Sequence, residues 1–232
     1  MSSLIKFFQS VLSHLLRSLG LAKPAPAAPV PPTAVDYYDP RIRGGSFLNR
    51  SGSGGEPLNV IISGRSSPEV LTSSGFLNFA RACGMSNECL GLHMGVPEPA
   101  NLGDGKGWVA EREVLRQHYQ LPFLGTCIES LIGGNHFRVY PQDGPDANSG
   151  ALFLAVSQEE DATQNHNIVP DGYNVGRDNF VKAATGTTSY CDITYETSLR
   201  DLTGFLSPGA QGINHDISQD GVVKLLTVTI KR

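Results

Sequence analysis

Cysteine is scarce in this chain: there are four in 232 residues, and no two stand at CxxC spacing. That excludes a short-spaced zinc or thiol-redox motif and the dense stapling of a small secreted scaffold. Cys83, Cys89, Cys127 and Cys191 therefore read as mostly buried small hydrophobes, with a disulfide in an oxidising compartment as the alternative. No apolar run reaches the roughly 20 residues that a membrane-spanning helix needs, so an integral helical membrane protein is not expected. A surplus of positive charge is also missing. Eighteen Lys and Arg face 22 Asp and Glu, for a net charge of −4, and the basic residues form no stripe. This argues against a nucleic-acid partner. Familiar catalytic signatures are absent as well. Gly103-Asp104-Gly105-Lys106-Gly107 looks like a phosphate loop but lacks the Ser or Thr after the lysine. No GxSxG, HExxH or GxGxxG pattern follows the first strand, so triad hydrolysis, zinc proteolysis and hydride transfer find no support.

Acid is missing from the start of the chain, where the first acidic residue is Asp36. Leu4, Ile5, Phe8, Val11, Leu12, Leu15 and Leu19 recur there at helical spacing, with Lys6, Gln9, Ser13 and Arg17 between them. Residues 1–21 thus form an amphipathic leader suited to a membrane surface, to a mitochondrial presequence, or to docking on a folded domain. Residues 22–57 read as linker. Their first part, AKPAPAAPVPPTA, favours extended polyproline geometry and so a semi-rigid spacer, which suits tethering better than docking. The second part is rich in Gly and Ser and carries one sequon, Asn49-Arg50-Ser51. The compartment stays open between the membrane periphery, the cytoplasm and the mitochondrion.

The globular domain is expected over 58–232, as an α/β (α+β) fold with a mixed sheet of about five strands. Leu58–Ser63 reads as a buried strand ending at Gly64, and Ser67-Pro68-Glu69 opens a helix that runs to Cys83. Residues 108–118 read as helical from the spacing of Trp108, Val109, Arg112, Leu115 and Arg116. Phe137–Pro141 and Ala151–Ser157 read as paired strands, Tyr173–Ala184 as a helix, and Ser189–Thr197 and Val222–Ile230 as the last two strands.

Polar chemistry gathers in two stretches. His136 and Arg138 lie two apart on a strand and so share a face, where Arg138 offers the donor fork that a phosphate or carboxylate needs. The competing reading pairs Arg138 with an internal acid. Asp161, His166 and Asp171 form a loop set with ligand-competent atoms, so His136, His166 and Asp161 are weak metal candidates. Arg177, in the 173–184 helix, either joins Arg138 at a ligand or pairs with a nearby acid. Asn135, Arg138, Asp171 and Arg177 are the candidate ligand-binding residues, and His136 and His166 the candidate bases. No cofactor is indicated.

In order of features, residues 58–184 resemble the C-terminal domain of LssY-type proteins. The resemblance rests on the strand Leu58–Gly64, the helix ending Phe79–Gly84, and Asn135-His136-Phe137-Arg138-Val139-Tyr140. It continues through the small-residue strand Ala151–Val156 to His166-Asn167-Ile168-Val169-Pro170-Asp171 and Arg177-Asp178. Asn135 and Asn167 stand where that family often has a second histidine, and Gly176 where an acid commonly precedes the arginine. No activity is assigned to the family, but its bacterial members are joined to membrane phosphatase-like modules. The resemblance thus implies work on lipid or at a membrane. Three functions follow as expectations. The first is a membrane-associated module that binds an anionic, phosphate-bearing small molecule or lipid headgroup. The others are a His-dependent or metal-assisted phosphoester hydrolase, and a structural or interaction protein.

Overall fold

A computed structural model describes residues 35–52, 54–93, 95–121 and 124–231. The leader over 1–21, with the membrane contact expected of it, and residues 22–34 of the spacer lie outside them. In chain order the strands are β1 (Val60–Ile62), β2 (Met85–Asn87), β3 (Ala100–Asn101), β4 (Trp108–Val109) and β5 (Glu113–Gln117). They continue with β6 (Gly134–Asp143), β7 (Asn148–Glu159), β8 (Gly186–Tyr190), β9 (Ile193–Leu202) and β10 (Val223–Lys231). The helices are α1 (Ser73–Ala82), α2 (Gly125–Ile132) and α3 (Gly172–Ala184).

Eight strands make one mixed sheet in the order β2-β5-β6-β7-β1-β10-β9-β8, and β3 pairs with β4 apart from it. Only β1 and β10 run parallel; every other pair is antiparallel. The sheet is thus larger than the five strands expected, for three reasons. Residues 108–118 are not a helix: Glu113–Gln117 pairs with β6 in the register Leu115↔Phe137, and Leu115 is fully buried. Pairing with β6 overrides the helical spacing of five residues. The strand expected over 189–197 is a hairpin, because Cys191 and Asp192 take the left-handed conformation of a tight turn. Met85–Asn87 adds the edge strand. The first helix is also shorter than its signals imply. Pro68–Leu71 forms a separate 3-10 turn, and Thr72 caps α1 by accepting from the Gly75 amide.

Strand alternation sorts the core onto two faces. One face of β5, β6 and β7 carries Leu115, Phe137, Val139, Leu154 and Val156, which pack with Phe76 and Phe79 of α1 and Phe180 of α3. The Phe137 and Phe180 rings meet at 4.9 Å between centroids. On the other face Tyr140, Phe153 and Leu225 form a second cluster with Phe47. Phe47 corrects the linker boundary, since the folded body begins ahead of Leu58. Asn49, Ser51 and Glu56 are buried beside it, because this segment covers the sheet and donates polar side chains to its interior. The Asn49 side chain of the sequon is spent inside, donating to Glu56 Oε2 at 3.3 Å and to Tyr140 Oη at 3.2 Å. Cys89 and Cys127 form a disulfide joining the 3-10 turn Cys89–Gly91 to α2. The expectation of mostly buried small hydrophobes thus holds for Cys83, a free buried thiol, and not for the disulfide pair or for Cys191, a free exposed thiol.

Candidate functional site

Alternation along β6 sends His136, Arg138 and Tyr140 to one face of the sheet. The cross-strand register sets Arg116 and Ser157 beside His136. Gly134 opens the row: a Cβ there would stand 2.6 Å from Glu129 Cγ, so glycine lets the α2 carboxylate reach β5. Glu129 then accepts from Arg116 Nη1 at 3.1 Å.

The polar groups on this face form a closed circuit. Arg138 Nη1 lies 3.1 Å from His136 Nε2, and His136 Nδ1 lies 3.2 Å from Glu159 Oε1 and 3.1 Å from Ser157 Oγ. Glu159 Oε2 accepts from Arg116 Nη1 at 2.7 Å, and Arg116 Nε donates to Glu88 Oε1 at 3.4 Å. Glu88 Oε2 contacts His93 Nδ1 at 2.7 Å. From His93 Nε2 to Glu111 Oε1 is 3.9 Å, and from Glu111 Oε1 back to Arg138 Nε again 3.9 Å. Glu56 and Glu98 complete the surroundings of Arg138, at 2.9 Å from Nη1 and 3.3 Å from Nε. Six carboxylates (Glu56, Glu88, Glu98, Glu111, Glu129, Glu159) thus face two guanidinium groups.

This arrangement fixes the protonation of its members. A guanidinium has donors only, so His136 Nε2 must accept from Arg138 and Nδ1 carries the proton toward Glu159 or Ser157. Burial, reinforced by the charges of Arg138, Arg116 and His166, holds the His136 pKa well below its ordinary value. His136 is a neutral connector, 1 % exposed, with both ring nitrogens engaged. Burial, and next the Glu56 carboxylate, push Glu98 up to about 7 against the pull of Arg138. Burial does the same to Glu129, also raised to about 7, with Arg116 opposing and Glu159 assisting.

Residues of the 88–98 segment help to line two clefts, and Glu88 lines both. The first, about 380 Å³, is lined by His93, Pro97, Glu111, Arg112 and Glu113 among others. The second, about 520 Å³, is lined by Cys89, Leu92, Arg116, Ser130, Asn165 and His166 among others. Glu111 marks the first. Its side chain is 4 % exposed, Oε2 accepts from the Glu98 amide at 2.8 Å, and Oε1 has no hydrogen-bond partner. Such an acceptor is costly to bury unless a donor meets it.

The sequence-derived site residues divide. His136, Arg138 and His166 come together through Glu159, whose Oε2 lies 3.5 Å from His166 Nδ1. The others do not join them. Asn135 points to the opposite face, where its Nδ2 donates to the Gly176 carbonyl at 2.9 Å. Arg177 is 3 % exposed and clamps Asp220 with bonds of 2.6 and 2.8 Å, Asp178 at 2.8 Å and the Val222 carbonyl at 2.9 Å. It fastens α3 to the start of β10. Asp171 begins α3, accepts from Asn174 Nδ2 at 2.6 Å and lines a separate cleft with His215 and Asp216. Asp161 turns to its own loop and accepts from the Thr163 amide at 2.8 Å. Among the described residues no group of three His, Cys, Asp or Glu is placed to hold a metal ion. The pairings that matter most, with Glu56, Glu98, Glu111, Glu129 and His93, were not found from the sequence. These residues stand in loops and in α2, and no local spacing links them to β6.

Comparison with protein-family models, with curated proteins and with solved structures finds no match to this chain. The residue-level likeness to LssY-type domains rests on the motifs alone.

Proposed function

We propose that the described domain is a binding module for a small organic cation, whose ammonium or guanidinium group docks on Glu111 in the 380 Å³ cleft beside residues 88–98. The observation that carries this reading is the buried Glu111 Oε1 in the lining of an open cleft, an atom with no hydrogen-bond partner and only the 3.9 Å approaches of His93 and Arg138. The charge balance agrees in sign. Glu88, Glu111 and Glu113 line the cleft with one guanidinium, Arg112, and that group is already held by Glu113 at 2.6 Å. An anionic ligand, the class that His136 and Arg138 suggest from the sequence, would have to displace Glu56 or Glu98 from Arg138, or Asp220 from Arg177. Thermal-shift screening of the full chain against agmatine, spermidine, inorganic phosphate and phosphocholine tests the sign. Stabilisation by the amines and not by phosphate is expected; stabilisation by phosphate alone would favour the anionic ligand.

A second reading, acid–base catalysis at the same cleft, is favoured by one observation. Glu98, next in sequence to the cleft residue Pro97, has a pKa lifted to about 7, so both of its forms are populated near neutrality. Of the two histidines that the sequence offers as bases, His166 lines the neighbouring 520 Å³ cleft, whereas His136 is buried with both ring nitrogens engaged. Equal rates for the wild-type chain, Glu98→Gln and His166→Ala on a phosphoester panel would end this reading.

A further inference from the structure

Apolar side chains are exposed unevenly over the described residues. Leu90, Leu92 and Val96 of the 88–98 segment and Leu124, Leu131 and Ile132 of the α2 region are each more than half exposed. With their neighbour Leu121 they make up more than half of the large apolar side chains that the described residues expose. The two segments meet through the Cys89–Cys127 disulfide. Leu124, the N-cap of α2, and Cys127 and Leu131 within it stand three and four residues apart and so lie along the side of the helix that carries the disulfide. Leu92, Cys89 and Ser130 line the 520 Å³ cleft, so this apolar surface borders a polar-floored opening.

From this placement we infer that the 88–98 segment and α2 form an apolar collar that inserts into a zwitterionic lipid surface, with the cleft between them facing the headgroups. Two observations choose this occupant. The charges of the floor are paired among themselves, Arg116 with Glu88, Glu129 and Glu159 and His166 with Glu159, so the cleft meets a net-neutral headgroup layer without presenting a free charge of one sign. Residues 88–98 and 121–132 contain no Lys or Arg, so the collar has nothing with which to attract an anionic bilayer. The acid-free amphipathic sequence over residues 1–21 is a second lipid-directed feature of the chain, and stable peripheral attachment generally takes two. Cation binding at Glu111 concerns the other cleft, and the two proposals stand or fall separately.

Brominated phosphatidylcholine vesicles test the collar directly, using the full chain carrying Leu131→Trp, read against the signal of Trp108 in the unmodified chain. The added indole is expected to lose roughly half of its emission, because the collar would lie within the outer ~5–10 Å of the headgroup and acyl boundary. Leu199→Trp on β9, near the other end of the sheet order, should show no such loss. Replacing part of the phosphatidylcholine with phosphatidylserine should not strengthen quenching. Quenching at Leu131→Trp no greater than at Leu199→Trp would overturn the inference, as would a concentration-dependent dimer that buries the indole without vesicles. Leu92→Trp serves the same assay should Leu131→Trp fail to fold.

Discussion

Arg138 shows how a motif residue changes meaning once its partners are known. Two apart from His136 on a strand, it promises a donor fork for a phosphate. In the fold, its Nη1 holds Glu56 and its Nε faces Glu98 and Glu111. Removing one partner of a buried charge cluster leaves the others uncompensated, so Arg138→Met should cost about 3–5 kcal/mol of stability in denaturant unfolding. A loss below about 1 kcal/mol would mean that Arg138 is free for a ligand after all. Arg177→Met should also lower stability, by about 1–3 kcal/mol, yet leave ligand titrations unchanged, since its partners lie at the α3–β10 junction. A changed affinity in that variant would return Arg177 to the site.

At the scale of elements, legibility followed locality. β6 and β7 could be read because alternation and a turn-rich connection lie within one stretch of chain. β5 could not: in Glu113-Val114-Leu115-Arg116-Gln117 the apolar and basic positions fit a helical face as well as a strand, and only pairing with β6 decides. The face shared by His136 and Arg138 was legible for the same local reason. Most of the acids around them were not, because a partner such as Glu56 reaches Arg138 across 82 residues of sequence. α3 was legible as a helix, but its seat was not. A Cβ on Gly176 would collide with the backbone of Ser157 and Gln158, so the helix can rest on β7 only with glycine there. Gly176→Ala should therefore destabilise the fold by about 1–3 kcal/mol, although alanine is the better helix former; a gain in melting temperature would show that α3 sits elsewhere. The disulfide joins elements 38 residues apart. On chain-entropy grounds Cys127→Ser should cost up to about 4 kcal/mol, read as a fall in melting temperature that reductant reproduces in the wild-type chain.

Over the body as a whole, buried carboxyl groups set the response to pH. Glu98 and Glu129 have folded pKa values of about 7 against ordinary values of 4.5. Between those pH values the folded chain keeps protons that the unfolded chain has released, so stability falls as pH rises through this window. Each group contributes on the order of 2 kcal/mol, present in full below the lower value and lost above the upper one. Below pH 6.5 the neutral, buried His136 opposes this trend, so melting temperature should decline from pH 6.5 to pH 8 in the wild-type chain and decline less in Glu98→Gln. Equal slopes would show that Glu98 is ionised throughout. The same polar circuit joins the linings of both clefts, which is why the binding reading concerns the sheet face and not a single loop. Its central claim is the docking of a cation on Glu111. Calorimetric titration of agmatine into the wild-type chain and Glu111→Gln, side by side at pH 7.5, tests it most directly. Saturable binding in the wild type is expected, weakened roughly tenfold or more by the substitution, as follows from a lost charged hydrogen bond. Equal affinity in the two proteins, or heat from inorganic phosphate and none from agmatine, would contradict it.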